Sequence, residues 1–326
     1  MDYEARLNKE YMLHCLNILA HFDGVNLPAG VTEIKAAGGQ NEKLPVYFIA
    51  SEGNDYFVCT RGATDANDFE IVLEIDLVPF LNGKAHKGIL DAARKIVEDN
   101  EEILKQCKGQ IHVIGHSLGA ATSIGVSTVL RLEKHYTNVD CYNFAQFPVF
   151  SKEIADQTRD WMTSVIYGED IVPKVTNKNV SMPLNAMAPP GPNQAQAIQG
   201  LKSTIAGMMQ NIVAGQGVTD KQQLNNVAAV LDVKLDKLVE MATNVDPQSP
   251  TLSGTLLHVV QRTDYWTGVT SYHVIPYDEN MGINFFGLMI GVQQHYIKFY
   301  SQVLHKAYDK QEAPAAKEPT AGLDLD

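Results

Sequence analysis

Residues 110–121 read QIHVIGHSLGAA. The apolar run 110–114 is typical of a buried parallel strand, and the small residues after Gly119 are typical of a helix packed closely on a sheet. Between them, residues 115–119 match G-x-S-x-G, the pattern of a sharp strand-to-helix turn that exposes a serine hydroxyl. The two glycines remove side chains that would clash in such a turn. The stretch therefore predicts a nucleophilic Ser117 where a strand ends.

Strand and helix patterns alternate on both sides of this turn. Strand-like runs cover 45–50, 56–60, 110–114, 139–145, 163–167, 255–261 and 272–277, and helical periodicity covers 3–21, 85–108, 118–135 and 295–307. Such a strand–helix–strand order predicts an α/β fold with a mainly parallel sheet, of the α/β-hydrolase type.

The chain divides into four predicted parts. These are an N-terminal helix in 1–24, an α/β-hydrolase core in 25–175 and 254–309, a helical insertion in 176–253, and a disordered tail in 310–326. The insertion starts Pro-rich and continues with two apolar helical stripes. Those stripes either face a lipid interface as a lid, or pack on the core.

Charge and composition exclude some partners. The 326 residues carry a net charge of −12, so binding to nucleic acid and electrostatic attraction to an anionic membrane are not expected. The start of the chain has no apolar segment of a signal peptide, which predicts a cytoplasmic protein, or one exported without a cleavable signal peptide. The four cysteines form no CxxC pair, and neither a metal nor a cofactor is expected.

Five segments in order resemble the class 3 lipases, which are the fungal-type triacylglycerol lipases and their diacylglycerol lipase relatives. The segments are Thr60–Thr64 with Asp68, His86–Gly88, Ile114–Ala120, Asn143–Pro148 and Gly168–Pro173. They resemble F-R-G-T-x-S-x-x-D, H-x-G, V-x-G-H-S-L-G-G/A, T-F-G-x-P-R and N-x-D-x-V-P of that family. The resemblance covers about residues 45–175 and continues more weakly from 255 to 305.

A serine hydroxyl needs a base and an orienting carboxylate, which follow the serine in this fold in the order Asp or Glu, then His. Asp170 stands just beyond a predicted strand and matches the family segment, and Glu169 is the alternative. The family's D-H-x-x-x-Y segment favours His295 as the base, although Gln294 stands where the family often has Asp. His273 is the second candidate. The two remaining candidates are His258 and His305.

The oxyanion needs two N–H donors. Leu118, directly after the serine, supplies one from its backbone, and the resemblance implies that Ala63 supplies the other. The family usually has Thr or Ser at that place, so Ala63 lacks a bracing hydroxyl that Thr64 could replace.

These residues predict a serine hydrolase that cleaves acyl esters of lipids, either acylglycerols or phospholipids, through an acyl-Ser117 intermediate. The expected partners are the lipid ester and, peripherally, a membrane or micelle. Two alternatives stay open: a degenerate lipase-like binding protein without catalysis, and an acyltransferase that uses the same acyl-enzyme. Fungal relatives carry a lid in the region corresponding to 61–86, which is short and acidic here, so the insertion is the better candidate for a cap.

Overall fold

The computed structural model describes residues 9–39, 43–174, 248–278, 291 and 293–308, together with ten isolated helical positions between 196 and 226. Most of the predicted insertion 176–253 and all of the predicted tail 310–326 lie outside the described residues. The lid-or-packing question for the insertion therefore stays a prediction.

An eight-stranded sheet forms the centre of the described chain, in the order β1-β2-β3-β6-β7-β8-β9-β10. The strands are β1 Val31–Ala37, β2 Tyr47–Glu52, β3 Asp55–Thr60, β6 Ile111–His116, β7 Val139–Phe144, β8 Met162–Tyr167, β9 Thr255–Thr263 and β10 Thr270–Pro276. The pairs from β3 to β9 are parallel, and the outer pairs are antiparallel. The mainly parallel α/β sheet expected for the α/β-hydrolase type is present. We call the side where β3, β6, β7, β8 and β9 end the carboxyl edge.

Helices cover both faces of the sheet. The bounds are α1 Lys9–Leu19, α2 Ala66–Val72, α3 Lys87–Leu104, α4 Leu118–Thr128, α5 Lys152–Ala155 and α6 Ile297–Tyr308. Helices α3 and α4 contribute to one apolar core, and α1 and α6 contribute to the other. Neighbouring residues of β6 point to opposite faces, so Val113 belongs to the first core and Ile114 to the second. Burial on both faces explains why this strand reads as a continuous apolar run.

Two segments differ from the sequence-based expectation. Strand β1 was not predicted, because it lies at the outer end of the sheet and only its first residue, Val31, is buried. The helix expected from residue 85 begins at Lys87, because β5 Gly83–His86 pairs with β4 Leu77–Phe80 in a separate hairpin.

The short acidic region 61–86 belongs to the core. Its apolar side chains pack into the same cluster as α3 and α4. The buried members are Ala63, Phe69, Ile71, Leu73, Phe80 and Ala85. Across the described ranges, no helix combines the length and the apolarity that crossing a bilayer requires.

Candidate active site

The turn between β6 and α4 places Ser117 at the carboxyl edge. Ser117 has φ +58° and ψ −124°, a conformation that L residues rarely adopt. Such backbone strain costs on the order of 1–3 kcal/mol and persists only where the surroundings enforce it. Here the Ser117 N–H donates to the Phe144 carbonyl at 3.0 Å, and the Ser117 carbonyl accepts from Ala121 N–H at 3.1 Å.

Both glycines of the motif are required by close backbone contacts. A Cβ at Gly115 would lie 2.3 Å from the Gly119 carbonyl oxygen, and a Cβ at Gly119 would lie 2.0 Å from the Thr60 carbonyl oxygen. Helix α4 can therefore approach the end of β3. The Thr60 hydroxyl supports this approach, because it lies 2.6 Å from the Gly119 carbonyl and 2.7 Å from the Ser123 hydroxyl.

The structure brings Ser117, His295 and Asp170 together. The Nε2 atom of His295 lies 2.8 Å from Ser117 Oγ, and its Nδ1 atom lies 3.0 and 3.2 Å from the two carboxylate oxygens of Asp170. A carboxylate can only accept, so Nδ1 carries the hydrogen and Nε2 is left to accept the serine proton. The side chains of His295 and Asp170 are completely buried, and Ser117 is 7% exposed. This is the arrangement that activates a serine nucleophile.

Two turns that are far apart in sequence hold the acid and the base. Asp170 follows β8, and His295 precedes α6. The Glu169 N–H donates to Gln294 Oε1 at 2.6 Å, and a Cβ at Gly291 would lie 2.3 Å from the Glu169 carbonyl oxygen. Gln294, found where the resemblance leads one to expect Asp, therefore connects the two turns.

Tyr300 is a member of the site that the sequence interpretation missed. Its hydroxyl donates to Asp170 Oδ2 at 2.5 Å and accepts from Tyr167 N–H at 3.1 Å. Asp170 Oδ1 also accepts from Val172 N–H at 3.0 Å. Burial raises the pKa of Tyr300 well above its ordinary value, so the hydroxyl stays protonated and remains a donor. In the sequence, Tyr300 stands one turn and a half after His295 on a helical pattern, one residue beyond the tyrosine position of the family's D-H-x-x-x-Y segment.

His273, the second candidate for the base, lies elsewhere. It is exposed on β10, and its Nε2 lies 2.9 Å from the Ser271 hydroxyl. His258 is buried on β9, where Nε2 donates to the Gly168 carbonyl at 2.8 Å, and His305 is exposed on α6. Of the four candidate histidines, the structure places His295 at Ser117.

His116, inside the G-x-S-x-G motif, contacts the base from behind. Its Nε2 donates to the His295 carbonyl at 2.6 Å, because a carbonyl can only accept. Burial lowers the pKa of His116 to about 3, so this ring is neutral near pH 7. Its geometry fits a support for the His295 backbone.

Glu169, the alternative carboxylate, is occupied by another contact. Its side chain forms a close ion pair with Lys174, which is 1% exposed. Asp170 is the carboxylate that faces the imidazole.

Of the two predicted oxyanion donors, Leu118 follows Ser117 directly in the chain and Ala63 lies in the loop after β3. Leu118 is the first residue of α4, so its N–H has no partner within the helix. Ala63 is buried in the loop after β3, whose start packs against Gly119. Asp68 braces this loop by accepting from Thr64 N–H at 2.8 Å and from the Thr64 hydroxyl at 3.3 Å. The Thr64 hydroxyl is therefore directed at Asp68.

Asp68 itself is buried and has further partners. Arg61 lies 3.4 Å away, and α2 begins at this point because Asp65 accepts from Asp68 N–H at 3.1 Å. Burial raises the pKa of the Asp68 carboxyl. In the part of the chain that the structure describes, no cluster of three or more His, Cys, Asp or Glu side chains is arranged to hold a metal ion.

Part of the chain is similar in sequence to known lipases. Residues 57–180 match the model of the family Lipase (class 3). Mouse diacylglycerol lipase-beta is 34% identical over 104 residues, which are 29% of this chain and 15% of that protein. Human diacylglycerol lipase-alpha is 30% identical over 105 residues, which are 28% of this chain and 10% of that protein. The chain thus spans a small part of the length of these curated relatives.

Among solved structures, the triacylglyceride lipase of Rhizomucor miehei aligns with a TM-score of 0.42 and 18% identity. The alignment covers 54% of this chain and 76% of that one. The family match covers the segment that carries Ser117, Asp170 and the loop with Ala63. Residues 57–180 are therefore similar to the class 3 lipase family.

Proposed function

We propose that this protein is a serine hydrolase that cleaves acyl esters of glycerolipids. The observation that carries the proposal is the chain of contacts from Asp170 through His295 to Ser117 Oγ. The family match and the names of the relatives, which are diacylglycerol lipases, support an acylglycerol as the substrate. A phospholipid ester uses the same chemistry and is a second substrate to be compared.

The first half of the reaction forms an acyl-enzyme. Ser117 Oγ attacks the ester carbonyl carbon while His295 Nε2 takes the serine proton. The carbonyl oxygen becomes an oxyanion, which accepts from the N–H groups of Leu118 and Ala63. The intermediate collapses, the C–O bond to the alcohol breaks, and His295 returns its proton to that leaving oxygen.

The second half releases the acid. Water attacks the acyl-Ser117 carbonyl carbon, His295 Nε2 takes a proton from the water, and Ser117 Oγ leaves with that proton. Asp170 stays ionised and stabilises the imidazolium that forms in each half. An alcohol in place of water would give acyl transfer.

The test uses purified protein, a short-chain p-nitrophenyl ester and a fluorophosphonate label. We expect Ser117→Ala to abolish turnover and labelling, and His295→Ala to lower kcat by at least about 10³-fold. Ser271→Ala and His273→Ala are matched controls, because these two residues contact each other and not Ser117. Turnover that persists in Ser117→Ala, or an unlabelled wild-type protein, would refute the proposal.

The substrate is tested with a panel of diacylglycerol, triacylglycerol and phosphatidylcholine. Release of fatty acid from diacylglycerol in preference to the other two supports the acylglycerol assignment. Fatty acid esters appearing with an added alcohol would instead identify an acyltransferase, and a protein that labels but releases no fatty acid from any of the three would exclude lipid ester hydrolysis.

A further inference from the structure

The β9–β10 hairpin ends in an apolar tip that the catalytic chemistry does not use. Six large apolar side chains are exposed in the described part of the chain. They are Val25, Ile34, Leu81, Tyr265, Trp266 and Val269. Three of them fall within residues 265–269, and Tyr265 and Trp266 are 87% and 88% exposed. We call residues 264–269 the aromatic tip.

The aromatic tip has a defined conformation. Asp264 Oδ1 accepts from Trp266 N–H at 3.0 Å, Thr267 N–H at 2.7 Å and the Thr267 hydroxyl at 2.8 Å. The turn is closed by a hydrogen bond of 2.9 Å from Asp264 N–H to the Val269 carbonyl. The rings of Tyr265 and Trp266 meet edge to face with centroids 5.2 Å apart. A turn held in this way presents the two rings to solvent at little entropic cost on binding.

The tip projects from the carboxyl edge of the sheet, where Ser117 also lies. Strand β9 is parallel to β8, and Val259 pairs with Tyr167, the last residue of β8. Strand β9 then runs four residues further, from Val259 to Thr263, which is roughly 13 Å at about 3.3 Å per residue. The tip therefore stands beyond the carboxyl edge, where β6 ends at Ser117.

The chemistry of the tip fits a lipid surface. Tyr and Trp combine an apolar ring with a polar atom and concentrate at the interface between lipid and water. Residues 261–271, which include the tip, contain one cation, Arg262, and one anion, Asp264, so this end of the hairpin has no net charge in a chain of net charge −12. A hairpin end without net charge matches a zwitterionic surface, which neither repels it nor requires a basic patch.

We propose that the aromatic tip anchors the protein on a zwitterionic lipid surface, with Tyr265, Trp266 and Val269 inserted and the carboxyl edge facing the lipid. The proposal rests on the proposed function, because a lipid ester is delivered from such a surface. It adds the segment that makes the contact and the kind of surface contacted.

The two tryptophans of the chain provide the test. Trp266 lies at the tip, whereas Trp161 lies just before β8, at the opposite edge, with Arg131 over its ring at 5.2 Å. Trp161→Phe and Trp266→Phe, each in a Ser117→Ala background, give two single-tryptophan proteins that cannot hydrolyse lipid. Emission is recorded with phosphatidylcholine vesicles, with and without brominated acyl chains.

We expect the Trp266 emission to shift to shorter wavelength and to be quenched by the brominated chains, and the Trp161 emission to do neither. Tyr265→Ser/Trp266→Ser should bind vesicles at least about tenfold more weakly. The same double variant should lose activity on vesicle-borne ester and keep its kcat/KM on a water-soluble short-chain ester. That soluble-ester assay separates a failed anchor from a failed catalytic assignment.

Three results would overturn the anchor. The first is undiminished vesicle binding by Tyr265→Ser/Trp266→Ser. The second is binding that grows with phosphatidylserine content and survives that double variant, which identifies a charged surface elsewhere. The third is a shift of the Trp266 emission wavelength that occurs without lipid and depends on protein concentration, which identifies contact between two copies of the chain.

Discussion

Tyr300 and His295 contact the same carboxylate, that of Asp170, from two directions. The Tyr300 hydroxyl donates to Oδ2 at 2.5 Å, and His295 Nδ1 lies 3.0 Å from Oδ1. Asp170 thus has its orientation fixed by a group other than the base that it serves. A carboxylate that is completely buried needs such donors to remain ionised.

Tyr300→Phe removes the donor and keeps the ring in its packing. We expect kcat to fall about 10- to 100-fold with KM nearly unchanged, since a hydrogen bond to a charged group contributes about 1.5–3 kcal/mol. A loss of melting temperature with an unchanged kcat would show that Tyr300 is only structural.

Asp68→Ala should damage the loop that carries Ala63. The change removes the acceptor of Thr64 N–H, and loss of one oxyanion donor costs about 10²–10³ in kcat. We expect a fall in kcat of about 10- to 100-fold on a short-chain ester, because the loop loosens without losing the donor. Asp68→Asn keeps an acceptor and should retain most of the activity. An equal loss of kcat in both variants would indicate that the negative charge of Asp68 matters and that its hydrogen bond with Thr64 N–H does not.

Gly119→Ala should reverse the usual effect of alanine in a helix. Replacing Gly by Ala inside a helix commonly stabilises by about 1 kcal/mol. At position 119 the added Cβ would meet the Thr60 carbonyl at 2.0 Å, and overpacking costs about 1–3 kcal/mol. We expect lower stability in urea and lower kcat. Gly207→Ala, at a helical position with no heavy atom within 4 Å, is the matched control and should not destabilise.

The free energy of unfolding should fall as the pH drops below about 6.5, which is the pKa of histidine in the unfolded chain. Burial lowers the pKa of His116 to about 3 and that of His86 to about 4, from 6.5. Below 6.5 the unfolded chain takes up protons that the folded chain excludes, so each histidine lowers the free energy of unfolding by about 1.4 kcal/mol per pH unit.

Urea unfolding between pH 7 and pH 5 measures this slope. His86→Asn removes one of these histidines and should reduce the mean slope over this range by about 1 kcal/mol per pH unit. Asp68 contributes with the opposite sign, since burial raises its pKa, and comparing the variant with wild type cancels that contribution. An identical slope in both proteins would contradict the assignment.

The local patterns of the chain predicted the central strands and the turn at Ser117 well. Strand β6 and the start of α4 can be recognised from a stretch of twelve residues, because burial and close packing restrict which residue types fit at each position there. The resemblance and the chain order selected Asp170 and His295, and the structure brings both to Ser117.

Other features depend on contacts that no local pattern records. Tyr300 meets Asp170 across 130 residues of sequence, and any buried tyrosine on a helix would have looked the same. Strand β1 carries one buried residue, Val31, so its alternation was too weak to recognise. Asp68 is part of the segment that resembles the family, but the sequence does not show what this residue does. Its role in holding the loop follows from the short distance between its carboxylate and Thr64 N–H.

Helix α4 has all eleven residues buried, from Leu118 to Thr128. A helix enclosed on every side leaves evolution almost no room for substitution there, since each enlarged side chain must displace a neighbour. New substrate preferences in this lineage would therefore arise by exchanging the loops that follow the parallel strands, while the scaffold beneath them stays fixed. A saturation library scored for fatty acid release should show this contrast as a map of intolerant and permissive positions.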